Sequence, residues 1–300
     1  MCSANLKYLM NLPKFAYFEP ETIEEACQLL SEYKDDARLI AGGTDLIVSM
    51  KERKISPQYL INLKTIPALN YICCNKVGVL ELGATATLSD IENSQVVREK
   101  HPLVALAAKK TGPPTIRNVA TMAGNFCSAL PSADAAPLLI CLGAKVKIQG
   151  TNDARIMPLE DFFIDSQKNA LKDDEILTEI QVPPLPANSF GAYIKNTERS
   201  ATDIAVVSAA AVITMDAANA NVVDAKIVLG AVAPTPLRAI EAENIIKGKA
   251  INDDFDDIIE EAALAAAMEA KPRTRSDYKR DLVRVLTSRA LKQAIAATIG

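Results

Sequence analysis

The sequence predicts an α+β protein: two α/β subdomains, then a C-terminal α+β domain built from a three-stranded antiparallel sheet plus helices. Three observations lead there. In the first part of the chain, short apolar runs alternate with helical patterns, as in βαβ units. In the last third, the strand patterns come first and the helices follow. Between the two lies VPPLPANS (182–189), rich in proline and polar residues and read as a hinge. The expected divisions are 1–183, with subdomains of about 1–65 and 66–183, and 188–300. A chain of 300 residues, 49% of them hydrophobic, can supply a core to each part.

The elements follow in order. PETIEEACQLLSEYK (20–34) reads as a helix, with Thr22 and Glu25 spaced as a capping box and Ile23, Ala26, Leu30 and Tyr33 at helical spacing. ARLIAG is a short buried strand, DLIVSMKERK a helix, and QYLINL (58–63) a strand. A glycine pair therefore marks a strand-to-helix turn. Strands are expected at 71–73 and 77–83, and a helix at LSDIENS (88–94) with Ser89 and Glu92 as a second box. PLVALAAKK (102–110) is helical and GAKVKIQG alternates like a strand. SFGAYIK, IAVVSAAAVITM and VVDAKIVLGAV are the three later strands. DDFDDIIEEAALAAAMEA and YKRDLVRVLTSRALKQAIAAT are the closing helices, the alanines of the first serving packing.

Composition removes several classes of function. Charged residues are 23%, the net charge is −4 and there is no basic block, so nucleic acid is not an expected partner. No run reaches the roughly 18 apolar residues of a membrane span. MCSANLKYLMNLPKF lacks the apolar centre of a secretion signal, and a cytoplasmic location is expected. The six cysteines (2, 27, 73, 74, 127, 141) form no C-x-x-C and are expected to be free thiols. With a single histidine, His101, and no Cys/His cluster, neither zinc nor a cysteine-ligated iron–sulfur cluster is expected in this chain. Adjacent Cys73 and Cys74 are read as small residues of a strand or turn rather than a redox pair. His101, before Pro102 at a helix start, is read as a surface residue rather than a general base.

The stretch ARLIAGGTDLIVSMK raises the functional question. Glycines between strand and helix let backbone N–H groups face a ligand without a Cβ in the way, and that suits phosphate. Thr44 adds a hydroxyl. Asp45 opposes a phosphate unless it turns away to cap the helix. The motif is neither a Walker loop nor a Rossmann fingerprint, and a plain structural turn remains an alternative. A second stretch, TIRNVATMAGNFCSALPSADAAPLLICLGA (115–144), carries another small-residue turn at 121–125, then Ser128, Pro131, Ser132 and Asp134. Two such loops can hold two linked phosphates, with Asp134 accepting from a sugar hydroxyl. Asn125 and Asp134 read equally well as turn residues.

Several motifs in order, FAYFEPETIEEACQLL, LIAGGTDL, IRNVATMAGN, the P-S-A-D around Asp134, FGAYIKNTERSATDIAVVSAAA and DYKRDLVRVLTSRAL, resemble the FAD-binding medium subunit of the molybdenum hydroxylases, the xanthine dehydrogenase and CO dehydrogenase family. The resemblance spans nearly the whole chain. It implies a PCMH-type FAD-binding domain followed by a C-terminal domain of the CO dehydrogenase flavoprotein type. It implies non-covalent FAD held by Leu39, Ile40, Ala41, Gly42, Gly43, Thr44, Asp45 and Leu46 as first pyrophosphate loop, and by Thr121, Ala123, Gly124 and Asn125 as second. Thr111 joins the cofactor-binding set and Asp134 binds the ribose. Leu177 and Lys195 line the isoalloxazine region, with Tyr193 in the same element and Asp203 in a D-x-A motif nearby. Lys195, read without the resemblance, is an exposed strand lysine.

The sequence departs from the family in T-M-A-G-N, where T-x-G-G-N is usual, and in GPP at 112–114. Ala123 is compatible only with negative φ. The cysteine-bearing insertion that holds an extra cluster in some relatives has no counterpart. The resemblance further implies an electron-transfer role in an oxidoreductase complex: a small [2Fe–2S] subunit and a large molybdopterin subunit as partners, in a dimer of heterotrimers, with NAD as one acceptor. No acid or base catalyst is expected from this chain. Two other readings stay open: a non-redox nucleotide or acyl-CoA module, and a stand-alone flavin oxidase. The purified chain is expected to show flavin absorbance and to release FAD on denaturation; a colourless chain that takes up no FAD on reconstitution contradicts the flavoprotein readings.

Overall fold

The computed structural model describes residues 12–200, 203–252 and 254–299. The chain opens with β1 (Ala16–Phe18), α1 (Ile23–Tyr33), β2 (Ala37–Ile40), α2 (Leu46–Lys51) and β3 (Tyr59–Asn62). The three strands form a parallel sheet in the order β1-β3-β2. Thr22 caps α1, its hydroxyl accepting the Glu25 N–H at 3.1 Å. The Glu25 carboxylate takes the N–H of Glu21 at 2.9 Å, one residue before the position a full capping box uses. Ala26, Cys27 and Leu30 sink from α1 into the core. Phe18, Tyr33 and Tyr59 stack beside it. The carboxyl ends of β2 and β3 lie side by side, where open α/β sheets place ligands.

The second unit begins with β4 (Ile72–Cys74) and β5 (Leu80–Gly83). A run of short helices follows: α3 (Leu88–Asn93), α4 (Gln95–Lys100), α5 (Pro102–Lys110), α6 (Pro114–Arg117), α7 (Met122–Cys127) and α8 (Ala136–Cys141). Then come β6 (Lys145–Gln149), β7 (Ala154–Pro158), α9 (Leu159–Phe162), a small hairpin of β8 (Phe163–Asp165) and β9 (Lys168–Asn169), and β10 (Ile176–Val182). The sheet is antiparallel in the order β4-β5-β10-β6-β7, so the last strand in sequence is the central one in space. Six of the seven residues of β10 are buried, as its central place requires.

Two expectations need correction here. The cap of α3 is Thr87, not Ser89. Its hydroxyl accepts the Asp90 N–H at 3.0 Å, while the Asp90 carboxylate accepts the Thr87 N–H at 3.2 Å. Thr87 has the extended backbone a cap needs, and Leu88 is already buried as the first helical residue. His101 is buried, not a surface residue. Its Nε2 lies 3.0 Å from the carbonyl oxygen of Gly78, tying the β4–β5 turn to the start of α5, and burial lowers its pKa.

The residues 183–188 connect β10 to the last unit, β11 (Ser189–Thr197), β12 (Ala205–Met215), β13 (Val222–Gly230), β14 (Leu237–Arg238), α10 (Ile240–Ile246), α11 (Phe255–Glu269) and α12 (Ser276–Ile299). Three long antiparallel strands stand as expected. A two-residue fourth strand, β14, extends the sheet beyond β13, and α10 was not anticipated. This sheet has a core on each face. Ala192, Ala209, Ala211 and Ile213 face α11 and α12, whereas Tyr193, Ala210 and Val212 join the core of the first two units. The alanine run of β12 follows from this: small side chains on both faces let helices and a second unit approach the same strand. Ala262, Ala263, Ala266 and Ala267 of α11 are likewise buried.

Among the described residues, all five cysteines are free, with Cys73 and Cys74 on β4; Cys2 lies outside them. Among those residues too, no group of His, Cys, Asp and Glu is placed to hold a metal ion, and no helix is long and apolar enough to cross a membrane. Thr87→Ala removes half of this capping box and is expected to cost about 1 kcal/mol of stability, read as a lowered urea midpoint at unchanged slope, whereas Ser89→Ala leaves the midpoint in place.

Candidate functional site

At the end of β2 the chain turns through Ala41–Asp45 into α2. Gly43 has φ +70°, a conformation that L side chains rarely adopt. Gly42 is glycine for a different reason. A Cβ there would lie 2.5 Å from the carbonyl oxygen of Val119 and 2.6 Å from the Cα of Ala120. The bare backbone at 42 therefore lies directly against the segment that leads into α7. The N–H groups of Gly42, Gly43, Thr44 and Asp45 donate to no described residue. Asp45 does not cap α2 as expected. It occupies the cap position with helical dihedrals (φ −93°, ψ −42°), and its carboxylate makes no cap bond.

The second segment is not a loop but the first turn of α7. Thr121 is its N-cap, extended at φ −114° and ψ 152°, with its hydroxyl accepting the Gly124 N–H at 2.9 Å. Ala123 is buried and helical, absent from the positive-φ residues, so the alanine in T-M-A-G-N meets the stated condition. Its N–H is left without a partner. Asn125 Oδ1 accepts the Ala135 N–H at 3.3 Å and so straps α7 to the loop carrying Asp134. Lys64, just beyond β3, donates to the Val119 carbonyl at 3.1 Å, placing a cation at the seam between the two segments. The first unit and the second thus meet along one line, edged by unpaired amide donors.

The last unit reaches the same region through β11. Tyr193 and Lys195 are two residues apart on a strand, so they point to the same face, toward the second unit. Lys195 Nζ donates to Asp134 Oδ2 at 2.7 Å and to the Lys110 carbonyl at 3.1 Å, with 2% of its side chain exposed. It is not an exposed strand lysine. Asp134 Oδ1 is buried with no partner among the described residues. Burial pushes Asp134 up to about 6 although Lys195 pulls it down, and burial first and Asp134 second raise Tyr193. Thr111, next to Lys110, ends α5 and spends its hydroxyl on the Ala107 carbonyl at 2.9 Å. Leu177 is buried in β10 at a bulge, on the strand against which α7 packs. Asp203 forms a two-pronged pair with Arg199 at 2.7 and 2.8 Å, and Lys195 adds to the pull that lowers its pKa.

Two residues here escaped the sequence reading. Lys64 follows the carboxyl end of a parallel strand, the place where an α/β ligand site is expected, so its position carried a signal. Arg117 carried none. It is buried, donating to Glu92 at 2.8 Å and to the Gly112 carbonyl at 2.7 Å, and it fixes the G-P-P turn against α3.

A row of free amide donors at 42–45, the free Ala123 amide, a buried ammonium and an unsatisfied buried carboxylate oxygen lie where the three units meet, an arrangement suited to a phosphate-bearing cofactor. Residues 13–185 match the FAD binding domain in molybdopterin dehydrogenase, and residues 192–294 match the CO dehydrogenase flavoprotein C-terminal domain. The chain is 32% identical to the carbon monoxide dehydrogenase medium chain of Hydrogenophaga pseudoflava over 95% of its length and 98% of that protein. It is 31% identical to the glyceraldehyde dehydrogenase medium chain of Sulfolobus acidocaldarius over 94% of its length and 98% of that chain. The solved structure of carbon monoxide dehydrogenase from Hydrogenophaga pseudoflava lacking the Mo-pyranopterin moiety superposes with a TM-score of 0.90 and 33% identity, over 96% of this chain and 99% of that one. The chain belongs to the FAD-binding medium subunits of the molybdopterin dehydrogenase family and is an oxidoreductase subunit.

The Asp134 carboxyl makes one measurable prediction. Its folded pKa of about 6 lies above the ordinary carboxylate value, so the folded chain holds this proton more tightly than the unfolded chain. The stability it contributes is complete below about pH 4 and is lost as pH rises through about 6. In the FAD-free chain, Asp134→Asn is expected to remove that fall, so urea midpoints of variant and wild type, compared from pH 4 to 6, diverge in slope; parallel curves contradict it.

Proposed function

We propose that this chain holds FAD non-covalently and passes electrons between the iron–sulfur subunit of a molybdenum-dependent dehydrogenase and an external acceptor such as NAD. The observation that carries the reading is the line of unpaired amides at Gly42–Asp45 lying against the free Ala123 amide, with a buried orphan acceptor at Asp134 beyond. A pyrophosphate needs several N–H donors at close range, and glycine backbone supplies them without side-chain bulk. Thr44 and Lys64 extend the donor set on the first unit. Asp134 Oδ1 would take a hydroxyl or N–H of the cofactor, which removes the cost of an unsatisfied buried acceptor. Lys195 is held by Asp134 and the Lys110 carbonyl in a dry place, where its ammonium would favour the more negative form of a neighbouring ring. Leu177 and Tyr193 would close that end with apolar surface. FAD itself supplies the redox chemistry when bound, exchanging electrons singly or in pairs.

The relatives are named as medium chains and as the FAD-binding subunit of xanthine dehydrogenase, and one solved relative is a Cu,Mo-CO dehydrogenase. These names support the remaining features proposed here. Partners are a small subunit with [2Fe–2S] clusters and a large molybdopterin subunit, arranged as a dimer of heterotrimers. The FAD-binding part spans 1–183 and the C-terminal part 188–300, with the 183–188 connection between them. The free state of all five described cysteines supports a cytoplasmic setting. No observation favours the acyl-CoA module or the stand-alone oxidase.

The test is reconstitution. Gly124 is the position to change, because it is exposed and a Cβ there meets only the Thr121 hydroxyl, at 2.9 Å. At Gly42 any side chain pushes two backbone segments apart. Gly124→Val is therefore expected to weaken FAD binding by roughly tenfold or more, about 1.4 kcal/mol, with unchanged far-ultraviolet dichroism. Equal flavin retention by variant and wild type would sink the two-segment cradle.

A further inference from the structure

Apart from the amide-lined seam, the chain has a cavity of about 340 Å³ where the loop after α7 meets the last unit. Pro131, Val232 and Pro272 form apolar walls, and Arg273, Thr274 and Lys279 bring polar groups to it. The volume lies within the range of small-ligand sites.

The charges around this cavity are out of balance. The segment KPRTRSDYKR (271–280) has five Lys or Arg residues and one acid, a concentration of positive charge in a chain whose net charge is −4. The composition reading, which found no basic block, passed over it. Arg275 has a carboxylate, Glu198 at 2.5 Å. Lys279 has only a neutral acceptor, the Ala231 carbonyl at 2.8 Å, and Arg273 has no ion pair among the described residues. Burial lowers the pKa of Lys279, and Arg275 and Arg273 lower it further. Holding unpaired like charges at a concave, partly dry surface costs free energy that an anion would recover.

The backbone points to the same place. Ala231, which lines the cavity, has φ 63°, and Arg275, next to the lining residue Thr274, has φ 51°; both are non-glycine residues in the left-handed region. Ala129, two residues before Pro131, has φ 43°. Such conformations persist only where surrounding structure holds them, and they gather at ligand sites. The Ala231 N–H donates to the Pro131 carbonyl at 2.9 Å and the Lys271 N–H to the Val232 carbonyl at 2.9 Å, so the walls are pinned to one another.

We propose that this cavity binds the phosphate group of a small molecule, held by Arg273, Thr274 and Lys279, with the body of the molecule lying on Pro131, Val232 and Pro272. Two uncompensated cations match a dianion better than a single carboxylate. The residues that line it include none of those placed at the seam, and its existence does not rest on the FAD reading.

The experiment is calorimetric titration of the full chain with inorganic pyrophosphate at constant ionic strength, for wild type, Arg273→Gln and Lys279→Met, with flavin content measured on the same samples. Saturable binding is expected for wild type, with affinity falling roughly tenfold or more in each variant and flavin content unchanged. Arg273 is exposed and makes no structural bond, so its variant stays interpretable if Lys279→Met fails to fold. Absence of heat, equal binding in Arg273→Gln, or reproduction of the effect by chloride overturns the proposal. Loss of flavin in both variants overturns it too, by making the cavity part of the cofactor cradle. Wild-type heat that persists unchanged in both variants would place the pyrophosphate in the amide-lined seam instead and overturn the proposal. Competition by ADP would trace the phosphate to a nucleotide, and competition by glycerol 3-phosphate alone to a smaller ester; either result supports the site.

Discussion

The backbone contact between Gly42 and Val119–Ala120 is the constraint on which the rest of the site depends. It brings the end of a parallel strand in the first unit against the entry to a helix in the second, at a distance no Cβ would permit. Because both segments turn at this point, their amides are not used up in a sheet or a helix. The two helices that follow have six residues each. Their dipoles are short, so the pull on an anion must come from individual N–H groups close at hand rather than from a summed macrodipole.

The Lys195–Asp134 pair is the second element, and it ties the last unit to this seam. Strand periodicity decides it. Once β11 pairs with β12 and packs one face on the helices, Tyr193 and Lys195 must face the second unit. A buried ion pair is weak support for stability, because removing two charges from water offsets their attraction. The raised pKa of Asp134 says the same thing: desolvation outweighs the nearby ammonium. The pair therefore makes better sense as a way of fixing a charge and an open acceptor at one place than as a fastening. A ligand that satisfies Asp134 Oδ1 would return part of that cost, so ligand binding and the docking of the last unit are linked.

Much of the fold was legible because it is local. The helix at 102–110 and the long strands of the last unit followed from periodicity, and Thr22 could be read as a cap from its own neighbours. The misplaced box at α3 shows the limit of such signals. Thr87-x-x-Asp90 and Ser89-x-x-Glu92 carry the same pattern, and only the burial of Leu88 chooses between them. The site was legible as residues but not as relationships. Gly42 was singled out, yet what it touches lies far along the chain. Lys195 was named, but its partner is 61 residues away and its burial depends on a sheet pairing the sequence does not print. His101 failed for the same reason: its acceptor is a carbonyl in a turn of another element.

What this architecture leaves out is also physical. The functional residues singled out here hold, satisfy or charge something; none forms a nucleophile–base pair, and His101 is used up in structure. That division suits a protein whose cofactor brings its own reactivity, since the chain then needs only to place the cofactor and set the field around it. Placement falls to the backbone at two segments and the field to one buried cation, and they arrive from three different units. A site assembled this way is as firm as the contacts between its units, so the small residues that let those units approach, Gly42 at the seam and the alanines of β12, govern the chemistry without touching it.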